Sequence, residues 1–137
     1  MQKLFQKYPI QIGIILAALT TALHQWVLRG GYLESTSVLL AIIAAIYYGF
    51  AVFCDGTKKA RFVEVLFASF MILTAVLGWS FSYWIIVGAL VVHGIWDLLH
   101  HKGNTLSLVR VPEWYPSFCA WYDFIIAGYL GVLLLSK

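Results

Sequence analysis

Tyr83-Trp-Ile-Ile-Val-Gly-Ala-Leu-Val-Val-His93-Gly-Ile-Trp-Asp97-Leu-Leu-His100-His101 is an apolar run that turns polar at one end. It is about as long as a helix that crosses a ~30 Å hydrocarbon core. Its last turns hold His93, Asp97, His100 and His101. Ionisable groups are expensive in lipid, so they normally face the protein interior or a wet cavity and mark a functional site. One stretch thus predicts a membrane-spanning helix and a place on it to look for chemistry.

Outward from it lie four further apolar runs: Pro9–Leu28, Ser37–Cys54, Phe62–Trp79 and Phe118–Leu135. Each approaches the roughly 20 residues of a spanning helix, the second and third being short. Turn-forming stretches separate them, such as Arg29-Gly-Gly, Asp55-Gly-Thr-Lys-Lys, Trp79-Ser-Phe-Ser and Lys102-Gly-Asn. The chain of 137 residues is 62% hydrophobic and 11% charged. A soluble domain of this size cannot hide so much apolar surface. Lipid offers backbone groups no partners, so the spans must be helical. The expectation is all-α: a polytopic transmembrane helical bundle of about five spans, forming a single integral membrane domain over residues 1–137. The first run continues past Ala17-Ala18 to Trp26-Val-Leu without a small-x-small site, so it reads as a retained span rather than a signal peptide. Basic residues are few and lie between the runs, which excludes nucleic acid as a partner.

Charge predicts orientation. With this topology Lys3, Lys7, Lys58, Lys59, Arg61, Lys102 and Arg110 share one side, leaving Arg29 and Lys137 on the other. Positive residues stay in the cytoplasm, so the N-terminus is expected inside, in the inner (plasma) membrane. Asp55, Glu64, His93, Asp97, His100, His101, Glu113 and Asp123 then all fall in the cytoplasmic half. His24 and Glu34 lie toward the outside.

Spacing sharpens the candidate site. His93, Asp97 and His100 recur at i, i+4 and i+7, so they share one helix face, with His101 at its edge. Carboxylate and histidine at i, i+3 can chelate one ion when another helix completes the set. One ion is therefore expected to take Asp97 with His100 or His101, or His93 with Asp97. Asp123 is the expected ligand from the last span, and Cys119, one turn before it, is a weaker one. His93 and His100 stand about two turns apart, too far to share an ion comfortably, which leaves His93 as acid or base. The catalytic set expected is His93, Asp97 and Asp123. The bland alternative is a buried hydrogen-bond network that holds the last two helices together. Tyr47 and Tyr48 either donate to the site or pack. Arg61 and Glu64 read first as an interfacial ion pair of little energetic weight, although Glu64 is within reach of the site. Cys54 and Cys119 lie toward the reducing face, which speaks against a disulfide. Gly88, Gly128 and Gly131 read as points of close helix contact.

The pattern His93-x-x-Trp-Asp97-x-x-His-His101, followed by Trp114-Tyr-Pro and Tyr122-Asp123, resembles an uncharacterised family of small bacterial polytopic membrane proteins. That resemblance covers mainly the last two helices and implies no activity, substrate or cofactor. The histidine spacing is also loosely similar to that of membrane hydrolases and hydroxylases that hold a metal with histidine and aspartate. Those need more histidines on more helices, which argues against a di-iron hydroxylase. The leading functional expectation is an enzyme acting on a lipid or other lipid-soluble substrate by metal-assisted hydrolysis, with zinc or iron as candidate metals. The alternatives are a proton-coupled small carrier or proton path, and an accessory subunit of a membrane complex. Membrane lipids are the expected surroundings, and a homo-oligomer is open.

Overall fold

The computed structural model describes residues 2–28, 31–101 and 108–136, without the side chains of Gln2, Leu28 and His101. A short helix α1 (Gln2–Lys7) leads into α2 (Pro9–Leu23), which widens into a π-helical turn over His24–Leu28. Then follow α3 (Tyr32–Phe53), α4 (Lys58–Ser80), α5 (Tyr83–His101) and α6 (Trp114–Leu135). Five spans are long and apolar enough to cross a membrane: Pro9–Val27, Tyr32–Phe53, Lys58–Ser80, Tyr83–His100 and Trp114–Leu135. Their outward faces carry exposed Leu19, Ile42, Leu66, Val76 and Val132. Such faces suit hydrocarbon and not water, and the chain is a multi-pass membrane protein.

Three helices start earlier than the apolar runs suggest, each for a local reason. At α4 the Thr57 side chain accepts from the Ala60 N–H at 3.1 Å, so the helix is capped ahead of Lys58 and not at Phe62. At α3 the hydroxyls of Thr36 and Ser37 bond back to the carbonyls of Tyr32 and Leu33, which satisfies polar side chains inside the helix. At α6 the proline, Pro116, lies in the first turn, where a missing N–H costs no intrahelical bond.

The spatial order differs from the chain order. α6 packs against both α2 and α5, α5 against α4, and α4 against α3, which also reaches α5. The first span therefore lies on the last. α2 is the least buried of the five. Its π-helical end reaches α3, where His24 Nε2 lies 3.0 Å from Ser35 Oγ. The core runs through Leu40, Ala44, Tyr47, Met71, Ile86, Leu90, Ile126 and Leu130. On one end of the bundle, Arg110 N–H donates to the Asp55 carbonyl at 2.7 Å, joining the approach to α6 to the α3–α4 loop.

The glycines that permit close approach are not the expected ones. A Cβ on Gly88 or Gly128 would meet nothing within 4 Å, and one on Gly131 only the edge of Trp84 at 3.9 Å. Instead, Gly13 of α2 abuts the Phe118 backbone carbonyl of α6, and a Cβ on Gly94 of α5 would stand 2.7 Å from the Phe124 ring. Gly94 follows His93 and Phe124 follows Asp123. The α5–α6 approach is therefore tight at the level of the buried polar groups.

Candidate metal centre

Two helices supply the donor atoms of one buried cluster, each through residues four apart. α5 offers His93 and Asp97, and α6 offers Cys119 and Asp123. A four-residue step returns to the same helix face. His93, Asp97 and Asp123 are wholly buried, and Cys119 is nearly so. His93 Nδ1 lies 2.5 Å from Asp123 Oδ2 and 3.4 Å from Asp97 Oδ2. Cys119 Sγ is 3.8 Å from Asp123 Oδ2 and 3.7 Å from the Tyr115 hydroxyl. From α3, the Tyr47 hydroxyl donates to Asp97 Oδ1. One donor atom from each of His93, Asp97, Cys119 and Asp123 falls within 4.8 Å of all the others.

The cluster is incomplete. Asp97 Oδ2, Asp123 Oδ1 and His93 Nε2 are buried without a hydrogen-bond partner among the described residues. Leaving such an atom unpaired costs about 1–3 kcal/mol each, and more when it is charged. Two carboxylates also share a single imidazole, so electroneutrality calls for two positive charges. One divalent cation or two protons supply them, and an unbalanced charge in the membrane interior is costly.

Distances separate those two fillings. Donors on a tetrahedral zinc at ~2.0–2.1 Å stand about 3.3 Å apart. The 3.4 Å between His93 and Asp97 fits that spacing. The 2.5 Å between His93 and Asp123 is a charge-assisted hydrogen bond. An ion would have to displace that proton and part the two groups by about 0.8 Å.

His100 is directed elsewhere. Its Nδ1 lies 3.1 Å from the Trp96 carbonyl, which can only accept, so that nitrogen carries a proton. Its Nε2 lies 2.7 Å from Glu64 Oε1, while Glu64 Oε2 accepts from Trp96 Nε1 at 3.3 Å. Both ring nitrogens and both carboxylate oxygens are thus engaged in a second, complete cluster between α4 and α5. The structure thus places His100 against Glu64 and not against Asp97: the helix spacing permits the expected pairing, but a carboxylate on α4 engages the imidazole. The Arg61–Glu64 ion pair is corrected. Glu64 is wholly buried and turned inward, while Arg61 Nη2 reaches the Cys54 carbonyl at 3.4 Å. His101, the other expected ligand, has its side chain outside the described residues.

Aromatic rings divide the two clusters. Tyr47 turns its edge to His93 and to His100, at ring separations of 5.1 and 5.7 Å. Phe67 stacks on Trp96 at 4.2 Å. Sequence reasoning gave Trp96 and Tyr115 no polar role. Glu64 carried a usable signal, being an acidic residue inside an apolar run. Nearer the other end, α2 meets α6 through Thr20–Tyr122 and Gln25–Tyr129 hydrogen bonds, each 3.1 Å.

The family model of DUF6010, described as a family of unknown function, matches residues 7–134. The chain belongs to that family. The match takes in all five spans but for Leu135, so the buried cluster lies within the DUF6010 unit. No curated protein and no solved structure matches the chain.

Proposed function

We propose that this DUF6010 protein holds a divalent transition metal between α5 and α6, with His93, Asp97 and Asp123 as donors. The observation that carries the reading is the pair of wholly buried carboxylates beside one imidazole, with Asp97 Oδ2 turned into the cluster without a hydrogen-bond partner among the described residues. An imidazole with two carboxylates suits zinc or iron. Tyr47 supports the set from α3 by occupying Asp97 Oδ1, which leaves Oδ2 for the ion. A metal with water in its fourth position supplies hydrolytic chemistry toward a lipid-soluble substrate. A fourth protein donor makes the site a closed, metal-holding one instead. The proposed setting is the plasma membrane with the N-terminus in the cytoplasm, as the distribution of lysine and arginine favours.

Elemental analysis of the purified protein, loaded with zinc or ferrous iron and then desalted, tests the reading. Stoichiometric metal is expected in the wild type. Asp97→Asn should lose it while remaining folded, because the amide keeps hydrogen-bonding capacity but not the charge. If the cluster only joins helices, Asp97→Asn should be near neutral and Asp97→Leu the harmful change. A wild type that retains no metal sinks the proposal.

The 2.5 Å His93–Asp123 bond favours a second reading, in which the same groups hold and pass protons. Proton flux in liposomes by metal-free protein, lost in Asp123→Asn, would support it.

A further inference from the structure

We propose that Cys119 is the fourth donor of this centre, which makes the site thiolate-containing, closed to water and selective for a zinc-like ion over magnesium or calcium. The inference rests on the metal reading above and adds the identity of the fourth ligand and the class of metal.

Geometry is the main argument. The donors form a two-by-two set: His93 and Asp97 one turn apart on α5, Cys119 and Asp123 one turn apart on α6. Around a tetrahedral zinc with a bond of about 2.3 Å to sulfur and ~2.0–2.1 Å to oxygen, sulfur and oxygen donors stand about 3.6 Å apart. Cys119 Sγ is 3.8 Å from Asp123 Oδ2. With the 3.4 Å His93–Asp97 edge, two measured edges already match a coordination tetrahedron. The hydrogen-bonded His93–Asp123 edge is the one that must open.

The surroundings agree. Cys119 is only 3% exposed, and its contacts at 3.7 and 3.8 Å are long even for a thiol. The sulfur is therefore shielded from water without being strongly committed to a partner. Metal binding drives the proton off a coordinating thiol. The thiol proton and the protons held by the carboxylates and His93 leave as the ion enters, so three anionic donors face two positive charges, and the one negative charge that stays is spread over the centre and met in part by the Tyr47 hydroxyl on Asp97 Oδ1. Thiolate and imidazole favour zinc, iron or cobalt, whereas magnesium and calcium demand oxygen ligands in larger number. Among the described residues Cys54, the other cysteine, is not part of the donor group.

Cobalt(II) is the probe, used on the full-length protein in detergent. Bound cobalt should show tetrahedral visible bands together with a near-ultraviolet sulfur-to-cobalt charge-transfer band. Cys119→Ser should lose the charge-transfer band and keep weaker visible bands, while Cys54→Ser keeps both. Zinc affinity in Cys119→Ser should fall by more than the roughly 10–100-fold that losing an outer hydrogen bond costs. Zinc-edge X-ray absorption on the wild type gives the same answer without any variant: a sulfur scatterer at about 2.3 Å is expected. Cobalt or zinc bound without sulfur in the wild type overturns the Cys119 assignment and leaves the metal centre standing. A wild type that binds neither ion overturns both. Magnesium or calcium competing with zinc at equal concentration overturns the selectivity.

Discussion

Glu64 and Asp97 are both buried carboxylates facing the α5 histidines, yet their surroundings make opposite demands. Glu64 has a donor on each oxygen, whereas Asp97 has one oxygen filled and the other without a hydrogen bond, 3.4 Å from His93 Nδ1. Glu64→Leu strands the Trp96 indole N–H and the His100 Nε2, at about 1–3 kcal/mol for each group left unpaired. The expected outcome is a clear loss of thermal stability with metal content unchanged, the reverse of Asp97→Asn. Metal loss in Glu64→Leu would merge the two clusters into one site. Outside the spans, burial and then the Asp55 and Glu64 carboxylates push the Cys54 thiol up from its ordinary range. A raised pKa means less thiolate at any given pH, so alkylation at pH 7–8 should be slower than for a free cysteine and accelerate only in more alkaline solution. Asp55→Asn should speed it, since one repelling charge is gone. Alkylation as fast as a free thiol at pH 7 would contradict this. At this scale the sequence was half legible. The i, i+4 step from His93 to Asp97 and the inward Asp123 could be read from spacing, because helix geometry fixes which residues share a face. The destination of His100 could not, because it depends on which helix brings a carboxylate alongside.

Helix packing turns on Gly13, Gly78 and Gly94, which spacing rules did not single out. At Gly13 the obstacle to a side chain is the Phe118 backbone, which has no rotamer to escape into. Gly13→Ala should therefore push α2 off α6 at a cost of about 1–3 kcal/mol, the usual range for overpacking. Gly88 faces open space, so Gly88→Ala should be neutral or raise stability by up to about 1 kcal/mol through helix propensity. Denaturation of the two variants in the same detergent checks the contrast, and equal effects would show that Gly13 makes no special contact. The existence of the five helices was legible because each span needs a long apolar run. Their starts at Tyr32, Lys58 and Trp114 were not, because caps and internal back-bonding extend helices into polar sequence. Of the helix neighbours only α5 with α6 could be read, through the polar groups they share; the other pairings could not, because apolar faces say that a helix is buried, not against what.

Across the whole molecule, five spans oblige the two ends of the chain to lie on opposite sides of the bilayer. Under the proposed orientation, a reporter active only in the cytoplasm should work at the N-terminus and fail at the C-terminus. Activity at both ends would require an even number of spans and undo the grouping of acidic and histidine residues on one side. The α2–α6 contact carries a further consequence, for the order of synthesis. The ribosome makes α2 well before its main packing partner, so the first span must wait in the bilayer while three others are made. Until Gly13 meets Phe118 and Thr20 meets Tyr122, it has little to hold it. The same late helix brings Cys119 and Asp123. Anchoring of the first span and completion of the buried centre are thus a single event, timed by the arrival of α6. A chain cut before Trp114 and released would have four spans, a loose first one and half a centre.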